Sequence, residues 1–376
     1  MHVQNNYIIK KSVFKIIDRL KRLSKRNSGG KYMNCAVLYQ IKEPPERDGL
    51  RKPMKNGGYR DSGADIAFTL RKSGIKIITP SDDPREAEDL DWVFPDDKDG
   101  ILSAIEKGAD TFWLNTVLYD GHPIEEFIEK GFYIVGQRPS DVNKYDDKYY
   151  TNQMLSNFGL HVVKEQIVDI NTIVHMNFPI VIKPIIGRGS QGVYVIKSEE
   201  EYENKCKELI EQKIYGKKLM IEPYLCNKEI TVSVFLPGKY VINDREIVKD
   251  DYWCLPVVER FNHVDGISPY NGVVAVTENS KTISNDYKLD SLCKECSKAA
   301  KLLEVKSLIR IDCRQDSNGN YYIFDLNMKP NMTGAERENR KNQDSLTMIA
   351  ARAIGWEYKD LLLNMLNTRW SKKDTI

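Results

Sequence analysis

Asp312, Asp325 and Asn327 are the residues of this chain whose types and spacing most directly suggest chemistry. The stretch RIDCRQDSNGNYYIFDLN reads as two strands joined by the Asn-Gly turn at 318 and 319, so Asp312 and Asp325 lie on adjacent strands. Period-two alternation puts Asn327 on the face of Asp325 and Arg310 on the face of Asp312. Hard oxygen ligands gathered on one face suit Mg²⁺, which binds through a few carboxylates together with phosphate oxygens. The following NMKPNMTGAERENR leaves the strand at a Pro-Asn turn and ends in a run of opposite charges.

A second group surrounds GRGSQG at 187–192. This matches the glycine spacing of a dinucleotide-binding turn, which requires a helix straight after the glycines to receive a pyrophosphate. Val193, Tyr194, Val195 and Ile196 follow instead, so the loop joins two strands as a hairpin and the dinucleotide reading fails. Gly187, Gly189, Ser190, Gln191 and Gly192 still offer backbone amides that approach phosphates closely. Lys183, on the strand before the loop, can set its ammonium against the same phosphates. A protein kinase would carry that lysine on a strand after the loop. A tight hairpin with an exposed lysine is the bland alternative. In LMIEPYLCNKEITVSVF an apolar strand leads to Glu222, Pro223, Tyr224 and Leu225, then a polar turn and Glu229. Such a segment between domains can present backbone groups to an adenine edge, with a carboxylate accepting from ribose hydroxyls.

The chain's 376 residues leave room for two or three domains to position these groups. CAVLYQ, a long polar loop to Gly63, ADIAFTLRKSG, IKIITP, DGILSAIEKGA, TFWLNTVLY, PIEEFIEKG and FYIVG alternate strand with helix. They predict an α/β domain over 31–140 with a parallel sheet covered on both faces. After the helix DDKYYTNQMLSNFG, the strands HVVKEQIVD, FPIVIKP, GVYVIK and KLMIEPYL with the helix SEEEYENKCKELIEQ predict a small β-rich domain over 141–225. EITVSVFLP, DYWCLPVVERF, SLIRIDCRQ and NYYIFDLN, then a helix from about Gln343, predict an α+β domain over 226–376.

The net charge is +2. Residues 1–30 hold eight Lys or Arg against the single Asp18, and the rest holds 48 basic against 53 acidic residues, which argues against nucleic-acid binding. Residues 1–30 read as a basic amphipathic helix, with Ile9, Val13, Ile16, Ile17 and Leu20 at helical spacing before Ser-Gly-Gly. Packing on its own protein is the simpler reading than a membrane contact. Charges interrupt every apolar run, so neither a signal peptide nor a transmembrane segment is expected. Seven cysteines, an odd number without framework spacing, suggest a reduced, cytoplasmic protein. Cys293 and Cys296 form one C-x-x-C with no second pair for zinc, and read as incidental thiols on a solvated helix face.

In order along the chain, DDKYYTNQML, FPIVIKPIIGRGSQG, IEPYLCNKEITVSVF, LPVVE and RIDCRQDSNGNYYIFDLNMKPNMTG resemble an ATP-grasp ligase, most closely the D-alanine:D-alanine ligase branch. The likeness runs from about residue 115 to 335. It implies an ATP-grasp fold behind an N-terminal preATP-grasp domain, ATP with two Mg²⁺, and amide formation between a small-molecule carboxylate and an amine through an acyl-phosphate. Carried over residue by residue, it implies that Lys148 and Lys183 bind ATP phosphates under the glycine loop. Glu222 and the backbone around Leu225 would contact adenine, and Glu229 ribose. Asp312, Asp325 and Asn327 would hold the metal, and Arg310 would stabilise the oxyanion of a tetrahedral intermediate. A homodimer is compatible with this reading. Asp325 stands where the family usually has Glu.

The substrate positions depart from that family. Where it has a Gly-rich loop with an acidic residue, IKEPPERDGLRKPMKNGGYRDSG is mainly basic, with Arg47, Arg51, Lys52, Lys55 and Arg60 beside Asp48 and Asp61. Gly189 stands for a family serine, Val273-Val274 for a Lys-Tyr pair, and Glu336 for a serine that helps hold a carboxylate. The expected substrates are therefore amino-acid-like molecules other than two D-alanines. An anionic feature would lie against Arg51, Lys52 and Lys55, an ammonium on Glu336, and further anion contacts at Arg337 and Arg340. An ATP-grasp small-molecule kinase and a non-catalytic ATP-binding protein are the alternatives.

Overall fold

The computed structural model describes residues 33–375 apart from 48, 50, 171, 173–176, 188, 213–215, 217, 270–274 and 284–286. The expected N-terminal helix, Asp48 and the Val273-Val274 pair lie outside the described residues.

The apolar run CAVL buries both faces of β1 (Asn34–Tyr39), as the central strand of a covered parallel sheet must. β2 (Lys76–Ile77), β3 (Phe94–Pro95), β4 (Thr111–Asn115) and β5 (Tyr133–Val135) complete a five-stranded sheet, all parallel, in the order β2-β1-β4-β5 with β3 on the far end of β1. The helices α1 (Arg60–Lys72), α2 (Lys98–Glu106) and α3 (Glu125–Glu129) lie between its strands in sequence. α4 (Pro139–Tyr145) opens on a proline at its first turn. α5 (Lys148–Asn157) starts where the Asp147 side chain accepts from the Tyr150 amide, a cap that makes Lys148 the first helical residue.

A second, antiparallel sheet is formed by β6 (Gln166–Asp169), β7 (Ile180–Lys183), β8 (Tyr194–Ile196) and β9 (Lys218–Pro223), in the order β6-β9-β7-β8. β7 and β8 are the expected hairpin around the glycine loop. α6 (Glu199–Gln212) places Tyr202, Cys206 and Leu209 at helical spacing in one core with Ile180, Ile182, Ile196, Leu219 and Ile221.

The third sheet centres on β10 (Glu229–Phe235), buried at every position. The hairpin β11 (Gly238–Ile242) and β12 (Arg245–Lys249) follows it. β13 (Trp253–Cys254), β14 (Val258–Arg260), β15 (Ser280–Thr282), β16 (Ile309–Gln315) and β17 (Tyr321–Asn327) give the order β15-β14-β10-β16-β17, with β13 also on β10. The sequence predicts one strand over DYWCLPVVERF. It is two, because Pro256 has no amide for the ladder. α7 (Tyr287–Leu302) buries Leu289, Leu292, Cys296, Ala299 and Ala300 in the core shared with β10 and β16.

The single helix expected from about Gln343 is also two, α8 (Leu346–Arg352) and α9 (Tyr358–Asn367). Gly355 separates them with φ +84°, in the left-handed region, where a Cβ would sit 2.7 Å from Asn243 Oδ1. Ile134 of β5 exchanges backbone hydrogen bonds with Trp370, tying the C-terminal segment to the first sheet. No helix among the described residues is long and apolar enough to cross a membrane.

The segment after β17 is pressed onto α9. A Cβ at Gly334 would lie 2.3 Å from the ring of the fully buried Tyr358, whose hydroxyl donates to the Met332 carbonyl at 2.5 Å. Gly334→Ala is therefore expected to destabilise by about 1–3 kcal/mol through overpacking, read from denaturant midpoints. An unchanged midpoint would show that this segment yields freely.

Candidate active site

β16 and β17 pair so that Asp312 lies opposite Asp325 and Arg310 opposite Asn327. On the other side, β10 sets Thr231 opposite Asp312. Asp312 accepts four hydrogen bonds: from Arg310 Nε and Nη2 at 2.9 Å each, from Thr231 Oγ1 at 2.6 Å and from Asn327 Nδ2 at 2.9 Å. Burial pushes its carboxyl pKa up, but the Arg310 guanidinium and these bonds outweigh that and hold it below the usual carboxylate range. Arg310 is in turn raised: burial opposes its charge, and Asp312 overrides that.

Lys148, at the first turn of α5, bonds Asp325 Oδ1. Burial disfavours its ammonium, yet Asp325, Asp146 and Asp312 together raise its pKa. Lys183, at the end of β7, lies 2.7 Å from Glu222 Oε2 and donates to the Phe324 carbonyl at 3.1 Å. Lys183 and Glu222 are 3% and 5% exposed, so this is a buried charge pair. Glu222 Oε2 is thus held by the Lys183 ammonium inside the protein. Burial pushes the Glu222 carboxyl up, and Lys183 only partly offsets it.

Glu229, at the start of β10, accepts from Ser268 Oγ at 2.7 Å and Arg314 Nη1 at 3.4 Å, and lies 2.9 Å from His263 Nε2. Burial acts against its charge, but the bonds from His263 and Ser268 keep its pKa low. Arg314 also donates to the Tyr224 hydroxyl at 3.0 Å and to the Gly266 carbonyl at 2.7 Å. In the hairpin, Gly189, Ser190 and Gly192 have φ of +58°, +58° and +73°. This run of left-handed residues turns the chain tightly, and the non-glycine Ser190 is steadied by donating to the Ser268 carbonyl at 3.4 Å.

One cleft takes in Arg310, Asp312, Asp325, Asn327, Lys148, Lys183, Glu222, Tyr224, Leu225 and Glu229, with Gly187, Gly189, Ser190 and Gln191 of the hairpin. Gly192 is not among its lining residues. The donor set of two carboxylates and one amide oxygen on paired strands fits the hard-oxygen preference of Mg²⁺, and the low pKa of Asp312 keeps it available as a ligand.

The substrate candidates divide. Lys52 and Lys55 line the cleft, paired with Asp146 at 2.5 Å and Asp61 at 2.8 Å. Arg51 points away, to Glu43 at 3.0 Å on the exposed surface. Glu336, Arg337 and Arg340 are not brought to the cleft, which corrects their expected place. Arg337 is buried and donates to Asp65 Oδ1 at 2.7 Å, Asp89 Oδ1 at 2.8 Å and the carbonyls of Glu86 and Asp61. Arg340 donates to Asp65 Oδ2 at 2.9 Å and Asp61 at 3.3 Å. The wholly buried Asp65 requires both guanidiniums, so these arginines fasten the segment after β17 to α1. Glu336 lies in the field of Arg352 and Lys359.

Sequence reasoning missed Arg314, Thr231, His263 and Ser268. Arg314 was detectable: it follows Arg310 and Asp312 at period two on one strand face. Thr231, His263 and Ser268 act through pairings across sheet and loop that no local pattern encodes.

Comparison with known proteins agrees with this geometry. The family model described as D-ala D-ala ligase C-terminus matches residues 161–367. A D-alanine--D-alanine ligase of Francisella philomiragia is 28% identical over 194 residues, 51% of this chain and 55% of that protein. One of Aquifex aeolicus is 24% identical over 225 residues, 57% of this chain and 66% of that protein. The chain thus spans between half and two thirds of the length of these curated relatives. Among solved structures, a D-alanine--D-alanine ligase from Bacillus anthracis complexed with ATP superposes with a TM-score of 0.60 at 18% identity, covering 90% of this chain and 96% of that one. VanG D-Ala:D-Ser ligase from Enterococcus faecalis gives 0.59 at 14% identity, covering 90% and 99%.

Two outcomes follow from the charge pairs. Asp312 and Glu229 have depressed pKa values, so their stabilisation is complete above the unfolded carboxylate range and is lost as pH falls through the folded values. Urea midpoints should drop between about pH 5 and pH 2, and Asp312→Asn should flatten that slope; an unaltered slope would contradict the assignment. Asp65→Asn, which leaves Arg337 with Asp89 and the part-buried Arg340 with Asp61, should cost about 1–3 kcal/mol, whereas Arg51→Ala should stay within about 0.5 kcal/mol of the unsubstituted protein.

Proposed function

This chain belongs to the D-ala D-ala ligase C-terminus family and has the ATP-grasp fold, and from that premise we propose that it is an ADP-forming carboxylate-amine ligase. The observation that carries the reading is the convergence of Asp312, Asp325, Asn327, Arg310, Lys148 and Lys183 in one cleft beside the glycine hairpin. Two structural neighbours, one a D-alanine--D-alanine ligase complexed with ATP and one a D-Ala:D-Ser ligase, support nucleotide use and a variable second substrate.

In this reading Glu222 and the backbone at Tyr224 and Leu225 receive adenine. Glu222, buried and paired with Lys183 through Oε2, keeps acceptor capacity suited to an exocyclic amine. Glu229, fixed by His263 and Ser268, accepts from ribose hydroxyls. Lys148, Lys183 and the hairpin amides hold the phosphates, and Asp312, Asp325 and Asn327 hold Mg²⁺, in the family's case two ions. The metal would supply neutralisation of charge on the transferring phosphoryl group. A substrate carboxylate oxygen attacks the γ-phosphorus as the bond to ADP breaks. An amine then attacks the acyl carbon and inorganic phosphate leaves with the former carboxylate oxygen. Arg310, held by Asp312 through Nε and Nη2, makes no hydrogen bond through Nη1 among the described residues and is placed to steady a developing oxyanion. The hairpin over the cleft excludes water that would hydrolyse the acyl-phosphate.

The substrates are amino-acid-like molecules other than two D-alanines. Lys52 and Lys55 on the cleft wall support an anionic feature on one of them. The ion pairs of Arg337 and Arg340 with Asp65 support a structural part for these two arginines. The seven free cysteines support action in a reducing compartment.

Phosphate release across a panel of acids and amines tests the substrates, and robust D-Ala-D-Ala synthesis would contradict the assignment. Hydroxylamine should trap a hydroxamate; a stable phosphate ester would favour kinase chemistry instead. Lys183→Met and Asp312→Asn should each lower kcat by about 10²–10³; turnover unchanged in Asp312→Asn would contradict this cleft as its source, and no turnover on any acid and amine would support a non-catalytic protein.

A further inference from the structure

The C-x-x-C of α7 does not lie on a solvated helix face. Cys296 is buried in the same apolar core as Cys313, while Cys293, one turn earlier, meets the edge strand β13. Cys254 Sγ on β13 is 3.3 Å from the Cys293 carbonyl and 3.4 Å from Ser297 Oγ. Cys254 and Cys293 are both part-exposed, and both line a second cavity that shares no lining residue with the nucleotide cleft. Lys249, Lys294, Lys298 and Lys301 also line it, with Asp251 paired to Lys301 at 2.9 Å, while the bond to Cys293 and burial push the Cys254 thiol up.

We propose that Cys254 and Cys293 form a modification site, a dithiol that a hydroperoxide converts to an intramolecular disulfide. The Cys293 thiolate attacks the peroxide, the O–O bond breaks, and hydroxide leaves to be protonated, giving a sulfenic acid. The Cys254 thiol then attacks that sulfur as it gives up its proton, the S–S bond forms, and the sulfenic hydroxyl leaves with that proton as water, so two thiols are oxidised and one hydrogen peroxide is reduced to two waters. A hydrogen bond from Cys254 holds the Cys293 thiol below its ordinary range, consistent with Cys293 as the first nucleophile. The Cys254 and Cys293 thiols are hydrogen-bonded side chain to side chain, so the two sulfurs are direct neighbours, as a disulfide between them requires. The bond would clamp α7 to β13 and, through the pairing of Trp253 with Phe235, to β10.

The test treats the full chain with equimolar hydrogen peroxide, alkylates remaining thiols and maps unreduced peptides by mass. The result expected is one species joining the Cys254 and Cys293 peptides, released by dithiothreitol. It should form before the exposed Cys226 is consumed. In Cys254→Ser, dimedone should instead capture a sulfenic acid on Cys293, and in Cys293→Ser, Cys254 should remain alkylatable. Recovery of both thiols in alkylated form after Cys226 has been oxidised, or a disulfide joining other cysteines, would overturn the proposal.

Discussion

The register between β16 and β17 is the constraint on which the rest of the cleft depends. A slip of one residue would turn Asp325 and Asn327 to the opposite face of the sheet. The register is fixed at the turn, where Asp316 Oδ1 accepts from the amides of Asn318 and Asn320 at 2.9 and 2.8 Å and Gly319 takes a left-handed φ of +78°. It shifts between Asp312 and Cys313: Asp312 faces Asp325, but Cys313 faces Ile323, so Phe324 is the extra residue of a bulge. The Phe324 carbonyl receives Lys183 of the second sheet, and the Ile323 amide bonds the His161 carbonyl. An irregularity in one sheet is thus where the other is attached.

The cleft concentrates charge that solvent would otherwise hold, and it survives because each buried carboxylate has a defined cationic partner. Asp312 has Arg310, Asp325 has Lys148, Glu222 has Lys183, and Glu229 has Arg314 with His263 close by. Pairs of this kind add little net stability over apolar packing, yet removing one member is costly. In the proposed function their value lies in pre-set polarity, with oxygen donors and cations in place for a charged nucleotide without reorganisation. Outside the cleft the same economy operates at Asp65, whose two arginines were read from sequence as substrate contacts. They serve instead to hold the segment after β17 against the first domain.

That the residues proposed for the nucleotide share one cleft was legible because the signals that place them are local. The Asn-Gly turn, strand alternation around Asp312 and Asp325, and the strand following GRGSQG each follow from a few neighbouring residues. Pro256 and Gly355, which split an expected strand and an expected helix, were equally visible as breakers but were outweighed by the apolar runs around them. The substrate side was not legible. Whether Arg337 meets a ligand or Asp65, 272 residues away, depends on tertiary placement, and charge runs look alike in both cases. The cysteines failed for the same reason: Cys254 and Cys293 are partners across 39 residues, while the sequence motif pairs Cys293 with Cys296.

The central claim is that this cleft joins a carboxylate to an amine by way of an acyl-phosphate. The most direct measurement follows an isotopically labelled carboxylate oxygen of the acid substrate during turnover with ATP and Mg²⁺. The account predicts that one labelled oxygen appears in the released inorganic phosphate, in proportion to amide formed. Label retained wholly in the organic product, with phosphate unlabelled, would contradict it.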